Sequence, residues 1–437
     1  MSDSGVQSRL VALGALVAWQ KNESTIQDYL QNNVGDLSDP DRGLAWEIAF
    51  GTCRNFRRLQ SVVRAYAKKK PPLVTELAIC SGLYQIFFLH RVPRHAAVYV
   101  TVAMVHQVSG VVASKFANAI LQRAVREGMP PLPENPSEAL ALEFSMPDWL
   151  IGKWLKESKG DVVAIRARCE SSRAVPGQWI RVHIARISLA DFQKAVGLDD
   201  ARVWGDRWID VGNKIGSLLR TEEFRKGLFS VQNPAADLLV RLLDVNNGQS
   251  VWDACAAPGG KSALLLERMP GIHLTASDID ASRLASLSDL SDRLQLPAFE
   301  SVVQDACAPT LNTRFDRILL DVPCSNLGVV SRRPEVPSRL DPQAFEEIVA
   351  RQRKILAGAA ECLAPGGVLV YGTCSPEPEE TTFVVRHFLK HHPEFVLDDA
   401  SSILGQDWVK DGCVQSFDAT LGFDGFFAAR LRRVNQV

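Results

Sequence analysis

Two cysteines, each just past an apolar run, are the residues of this sequence best suited to chemistry. Phe315-Asp316-Arg317-Ile318-Leu319-Leu320-Asp321 leads into Val322-Pro323-Cys324-Ser325, and Val368-Leu369-Val370-Tyr371-Gly372 leads into Thr373-Cys374-Ser375-Pro376. Short apolar runs bounded by turn residues read as buried strands. A residue just beyond a strand's carboxyl end lies on the edge where open α/β sheets bind ligands. A thiolate there is a nucleophile that can form and break a bond to carbon. The bland alternative is that both cysteines are small buried hydrophobes, as free cysteines commonly are.

A third stretch weighs against the bland reading. Val251-Trp252-Asp253-Ala254-Cys255-Ala256-Ala257-Pro258-Gly259-Gly260-Lys261-Ser262 starts apolar, passes an acid, turns through Pro-Gly-Gly and enters an apolar helix pattern. Glycines let backbone approach a ligand where a Cβ would clash, and the first N–H groups of the helix offer donors. A P-loop would need a glycine where Cys255 stands, and Pro258 would remove an amide from the phosphate nest. The dinucleotide spacing G-x-G-x-x-G is absent here. An S-adenosylmethionine loop needs an acid ending the first strand, a glycine turn, and a second acid after the next strand for the ribose. Asp253, Gly259-Gly260 and Asp278 supply these, on the logic by which an acid grips the ribose of NAD. Asp280 competes for the ribose two residues on. Asp305, after Ser301-Val302-Val303, is placed to reach the adenine amine, and Asp316 is assigned to structure at a strand start. Two cysteines beside a methyl-donor loop point to thiolate attack on carbon.

These residues need a sheet to hold them. From Phe229 onward, strands near 251, 272–277, 299–303, 315–320 and 367–371 alternate with helices 262–269, 281–294, 342–363 and 377–391. That alternation predicts a doubly wound, mostly parallel sheet. Phe423 to Leu431 reads as an antiparallel edge hairpin. Upstream, Gln178 to Ile184 alternates like a strand, Leu189 to Val196 reads helical and Arg207 to Leu219 reads as strands, giving a small α+β module. Trp179 is assigned to core packing. The proline-rich Met129 to Pro136 reads as a linker.

Val6 to Glu127 reads as all-helical, with Asp39 as N-cap before Pro40 and a break near Asn55. Helices are expected over Leu73–Leu89, Ala96–Val108 and Ala113–Arg126. Seven basic residues run from Arg54 to Lys70 with no acid between them. Alone they read equally well as a solvated face or as phosphate contacts.

Composition bounds the rest. The 437 residues carry a formal net charge of −1, so any nucleic-acid surface is local. Nine cysteines without a C-x-x-C pair argue against a disulfide framework or zinc ribbon, and for a reducing cytoplasm. The eight histidines form no metal-ligand spacing, so no metal is expected. No signal peptide or membrane span is expected either; Ile86-Phe87-Phe88-Leu89 is too short.

The chain resembles the RsmB/Fmu/Sun family of RNA 5-methylcytosine methyltransferases. Cys255 to Lys261, Asp321-Val322-Pro323-Cys324-Ser325, Thr373-Cys374-Ser375, Phe229 to Pro234 and Asp424-Gly425-Phe426-Phe427 carry the resemblance. The N-terminal helices resemble a NusB-like domain through Asp41-Arg42-Gly43, Gly82-Leu83-Tyr84-Gln85 and Val92 to Ala97. Ser262 replaces a commoner threonine, Pro376 an aliphatic residue, and His183 an asparagine; no tryptophan follows Arg332-Arg333-Pro334-Glu335-Val336.

The resemblance implies an α/β fold: a class I S-adenosylmethionine-dependent methyltransferase with a Rossmann-like doubly wound sheet. It would be preceded by an all-α NusB-like domain and a small α+β module. The divisions are 1–135, 136–228 and 229–437. It implies Cys374 as nucleophile, Cys324 as the residue releasing product, and Asp321 at N3 of the base. Cys255, Ala256, Ala257, Pro258, Gly259, Gly260, Lys261, Asp278, Asp305 and Asp321 would hold S-adenosylmethionine. Arg54, Arg57, Arg58, Arg64, Lys68, Arg91, Arg94, Arg332 and Arg333 are the candidate RNA contacts. The implied substrate is a cytosine of small-subunit ribosomal RNA, the implied state a cytoplasmic monomer. Transfer RNA as substrate, or a NusB-like RNA-binding protein with an inert methyltransferase half, are the alternatives.

Overall fold

The computed structural model describes residues 4–174, 177–416 and 422–434. By compactness the chain forms two units: one of the residues up to Arg173 with Arg333–Asp341, the other of Ala174–Arg332 and the chain from Pro342 onward.

The first unit is helical. Its leading helices are α1 (Ser4–Gln20), α2 (Ile26–Asn33), α3 (Asp39–Arg54), α4 (Phe56–Tyr66), α5 (Leu73–Phe88) and α6 (Arg94–Glu127). α5 is apolar all round and therefore central: Thr75 through Ile86 are buried. Leu16, Trp19, Ile48, Leu59, Met104 and Leu121 close the core around it. Ser38, not Asp39, caps α3. Its hydroxyl accepts from the Asp41 N–H and donates to the Asp41 carboxylate, which leaves Asp39 in the first turn, where the helix dipole favours an acid. The expected break at Asn55 is present, between α3 and α4.

α6 is the two expected helices joined at Gly110, whose φ of +81° only glycine adopts without strain. It is the one helix among the described residues long and apolar enough to cross a bilayer by length and composition. Gly110 interrupts it, and Ala97, Val98, Met104, Leu121 and Ala124 pack into the helical core.

Pro136–Glu143, Asp148–Glu157 and Val162–Arg173 form three further helices of this unit. Arg57 donates to the Met146 carbonyl and the Asp148 carboxylate, and Arg58 to the Pro130 carbonyl.

The second unit carries both sheets. A small antiparallel one contains β1 (Trp179–Val182), β2 (Val203–Trp204), β3 (Trp208–Asp210) and β4 (Phe229–Val231), in the order β2-β3-β1-β4. Trp179 is buried, as expected for core. The strands expected across Arg207–Leu219 amount to β3 alone. Gly212 turns the chain at φ +53°, and the remainder forms a 3-10 turn and the short helix Ile215–Leu218.

The large sheet contains β5 (Ser250–Asp253), β6 (His273–Asp278), β7 (Glu300–Val303), β8 (Phe315–Asp321), β9 (Leu363–Thr373), β10 (Phe395–Asp398), β11 (Val409–Lys410), β12 (Cys413–Ser416) and β13 (Phe426–Arg433). β7-β6-β5-β8-β9 run parallel in that spatial order, and β13 pairs antiparallel with β9. The connections from β5 go one way and the strand after them returns to β5's other side. The order therefore reverses between β5 and β8, and the crevice at their carboxyl ends is where such sheets hold ligands.

Two expectations are corrected here. β13 is interior, because β12 and β10 also pair with it, so Phe423–Leu431 is not an edge hairpin. The helix expected over 377–391 starts at Thr382, after a 3-10 turn at Pro378–Glu380. Thr381 breaks the path at φ −117°, ψ −104°, beside a Glu380 side chain that is drawn into the interior.

Candidate active site

The reversal crevice gathers the predicted cofactor loop. β5 delivers Asp253, 1% exposed, whose Oδ2 accepts from Ser262 Oγ at 2.6 Å. Its other oxygen is buried with no hydrogen-bond partner among the described residues, and burial raises the carboxyl pKa to about 7. A buried acceptor in that state fits an incoming cationic donor such as the ammonium of a methionine moiety. Gly259 turns at φ +107°, and a Cβ there would stand 2.3 Å from Leu287 Cδ1, so both conformation and space require glycine. β6 delivers Asp278, buried at 5% exposure, which accepts from the Ala257 and Asp280 N–H groups. Asp305 is exposed past β7 and accepts from the Cys307 N–H.

Asp280 has another task. It caps the helix Ala281–Leu294 by accepting from the Ser282 and Arg283 N–H groups. Loss of a ribose grip removes charge-assisted hydrogen bonds of about 1.5–3 kcal/mol. Asp278→Ala is therefore expected to weaken S-adenosylmethionine binding about 10- to 100-fold. Asp280→Ala should lower the melting temperature through the lost cap and change affinity less than about threefold. Calorimetric titration and thermal melts of both variants check this, and the reverse ranking would move the ribose to Asp280.

β8 and β9 deliver the cysteines. Cys324 Sγ and Cys374 Sγ lie 2.8 Å apart, and both are free thiols. Cys374 Sγ also meets Asn326 Oδ1 at 3.2 Å, while Asn326 Nδ2 donates to the Cys324 carbonyl. The hydrogen bond with Cys324 and burial push the Cys374 thiol well above its ordinary pKa; Lys261 pulls the other way. A positive charge near the thiol is thus present, but it does not outweigh the neighbouring sulfur. Lys261 is ion-paired with Asp321. Burial favours its neutral amine, yet Asp321 holds its pKa above the ordinary value.

Behind the cysteines sits Glu380, fully buried. Its carboxylate accepts from Ser325 N–H (2.8 Å), Ser325 Oγ (2.5 Å), Ser375 Oγ and Gln352 Nε2 (2.9 Å). One carboxylate thereby ties the Cys324-Ser325 turn to the Cys374-Ser375 turn. Burial raises its pKa and the serine hydrogen bonds lower it. On the other flank, the fully buried Arg181 of β1 donates to the Gly260 carbonyl at 3.1 Å and pairs with Glu267 at 2.7 Å, which fastens the small sheet to the cofactor loop. Glu380, Asn326 and Arg181 were not singled out from the sequence. The three acids Glu377, Glu379 and Glu380 just past Cys374 were the available signal for the first.

Cys255 through Lys261, Asp278, Asp321, Cys324 and Cys374 thus come to one crevice, with Asp305 past the next strand. Of the basic candidates, Arg57 and Arg58 spend donors on main-chain carbonyls, and Arg332 pairs with Asp424. The Arg54 carbonyl accepts from Arg173, and Arg64 donates to Gln60. Arg64, Lys68, Arg91, Arg94 and Arg333 are exposed. His183 is buried, and burial lowers its pKa, so it is a neutral imidazole of the module interior. No group of three or more His, Cys, Asp or Glu among the described residues could hold a metal.

A five-stranded parallel run reversing between β5 and β8, an antiparallel strand beside β9, and acids ending β5 and β6 define a class I S-adenosylmethionine-dependent methyltransferase. Residues 240–432 match the family model "16S rRNA methyltransferase RsmB/F", and residues 6–126 match that of the NusB family. The probable ribosomal RNA small subunit methyltransferase B of Bacillus subtilis (strain 168) is 32% identical, over 97% of this chain and 98% of its own. Ribosomal RNA small subunit methyltransferase B of Pseudomonas putida is 31% identical over 98% of both chains. The solved structure of PH0851 superposes with a TM-score of 0.80 at 22% identity, covering 99% of each chain, a likeness of fold. The chain belongs to the RsmB/F family of 16S rRNA methyltransferases, with a NusB domain ahead of the catalytic one.

Proposed function

We propose that the protein methylates C5 of a cytosine in small-subunit ribosomal RNA through a transient bond between Cys374 and C6. The observation that carries this reading is the pair of free thiols, 2.8 Å apart, beside the Lys261–Asp321 pair at the reversal crevice. The names of the relatives, ribosomal RNA small subunit methyltransferases, support the RNA class.

S-adenosylmethionine, when bound, supplies an electrophilic methyl group. Asp253, Gly259 and Gly260 hold its methionine end, Asp278 the ribose and Asp305 the adenine. Cytosine C5 is a poor nucleophile until the ring loses aromaticity. The Cys374 thiolate adds to C6 and makes the ring an enamine whose C5 can attack carbon. Asp321, its carboxylate fixed by Lys261, accepts a hydrogen bond from N3–H of the N3-protonated ring, the electrophilic form that takes its proton from solvent and returns it when neutral product forms. After methylation C5 carries both methyl and hydrogen. Cys324 takes that proton, the C5–C6 double bond forms, and the Cys374 sulfur leaves C6. The target cytosine must be unpaired or flipped to enter. The proposed division of labour is 1–135 for RNA binding, 136–228 as a platform and 229–437 for catalysis. Of the candidate cations, Lys68, Arg91, Arg94 and Arg333 are exposed to meet phosphate, with Arg54, Arg57, Arg58, Arg64 and Arg332 contributing what their internal bonds leave.

The test is to incubate the purified protein with labelled S-adenosylmethionine and small-subunit ribosomal RNA, then digest to nucleosides. Label in 5-methylcytidine is expected. Label in another nucleoside would overturn the C5 assignment. Label in transfer RNA and not in ribosomal RNA would change the substrate.

A further inference from the structure

We propose that a cleft on the helical unit binds one unpaired base of the substrate RNA, a proposal that rests on RNA being the substrate. The two halves of α6 fold back alongside each other at Gly110 and leave a cavity of about 240 Å³ between them. That is below the usual volume for a drug-sized ligand and suits a single planar ring. The floor is apolar: Val98, Val102 and Val125. The rim is formed by His95, Tyr99, Asn118 and Gln122, all exposed. None of these four side chains makes a side-chain hydrogen bond among the described residues. Tyr99 is 65% exposed, so the ring is open to a stacking partner.

The chemistry of this rim is that of base recognition. Single-stranded RNA is read by stacking on aromatic side chains and by hydrogen bonds to the exposed base edge, which amides supply with both a donor and an acceptor. Tyr99 and His95 offer faces, Asn118 and Gln122 the amides. Charge around the cleft is mostly positive, with Glu127 the nearest acid, paired to Arg123 at 2.9 Å. From Leu77 to Arg126 there is no acidic residue, while Arg91, Arg94, Lys115, Arg123 and Arg126 are basic. Lys115 lies one helical turn before Asn118, and Arg126 one turn after Gln122. The Tyr66 hydroxyl donates to the Gly128 carbonyl at 2.8 Å, which holds the Lys68-Lys69-Lys70 loop at the end of α6. His95 and Val125 line that same end of the cleft. An excess of cations over the single acid Glu127 favours an RNA backbone over a protein surface.

The test uses the full chain and a single-stranded small-subunit RNA fragment carrying 5-bromouridine. Irradiation should attach RNA to the tryptic peptide that follows Arg94 and ends at Lys115, at Tyr99. In anisotropy titrations Tyr99→Ala should bind the fragment about tenfold more weakly, with Tyr99→Phe close to the intact protein. The salt slope should not change in Tyr99→Ala, because stacking releases no counterions, whereas Lys68→Ala should lower it. Melting temperature and S-adenosylmethionine affinity should be unchanged in Tyr99→Ala, since the ring is exposed. RNA affinity within twofold in both Tyr99→Ala and Asn118→Ala overturns the cleft while the RNA reading stands. An equal loss on fully duplex RNA, which offers no unpaired base, also overturns it. So does a Tyr99→Ala variant that keeps RNA affinity and loses a protein partner. Failure of the intact protein to bind or methylate any RNA would bring down the functional reading itself.

Discussion

Cys374→Ala is expected to abolish methyl transfer, by at least about a thousandfold, while S-adenosylmethionine affinity stays within about twofold. Without the sulfur there is no C6 adduct, and the ring cannot become the enamine that attacks the methyl group. The cofactor contacts proposed for Asp253, Gly259, Gly260 and Asp278 do not involve the Cys374 sulfur. Removing one half-buried sulfur leaves a small void of about 1 kcal/mol, and Cys374→Ser separates that cost from chemistry by keeping the shape. The intact protein should also show a pH signature. Because the Cys324 sulfur and burial hold the Cys374 thiol protonated well above its ordinary pKa, the thiolate fraction is small at neutrality and grows as pH rises. Single-turnover rates should therefore climb through neutral into alkaline pH. Lys261, which favours the thiolate, makes Lys261→Met a variant whose climb is displaced to still higher pH. A rate flat from about pH 6 to 9, or an active Cys374→Ala, would show that no thiol proton is lost from this residue before methylation.

The parts of this site that the sequence made legible are those built within one strand–loop–helix step. Asp253, the Pro-Gly-Gly turn and Ser262 lie within ten positions, and the acid-to-hydroxyl bond spans nine residues. Asp278 and the cysteines were legible for the same local reason, each following an apolar run at a strand end. Contacts between distant segments were not. Glu380 meets Ser325 across 55 residues, and Arg181 meets Glu267 across 86. A glutamate in a run of acids and an arginine in an alternating strand read as surface residues until the fold buries them. The basic run from Arg54 shows the converse. Charge counting marked every cation alike, but tertiary packing spends Arg57 and Arg58 on the carbonyls of Met146 and Pro130. β13 was misplaced at an edge because no local pattern tells which strands will cover a strand's second side.

Cys324→Ala should do something different from Cys374→Ala: it should trap RNA. If Cys324 serves only to take the C5 proton, its loss leaves addition to C6 and methyl transfer intact. The product ring then holds methyl and hydrogen on C5 and the Cys374 sulfur on C6. Elimination cannot proceed until the proton leaves, so the complex persists as a covalent adduct. The variant should also start more readily, since the neighbouring sulfur that raises the Cys374 pKa most is gone. On a denaturing gel with labelled RNA, Cys324→Ala should give a shifted band approaching one RNA per protein, with turnover reduced at least about a hundredfold. The double variant Cys324→Ala/Cys374→Ala should give none. A shifted band from Cys374→Ala alone would exchange the two roles. Rapid turnover by Cys324→Ala would hand the proton to another group, and Asn326, bonded to both cysteines but not a base at neutral pH, could not take it unaided. No adduct from Cys324→Ala, on RNA that the intact protein methylates, would sink the thiolate mechanism.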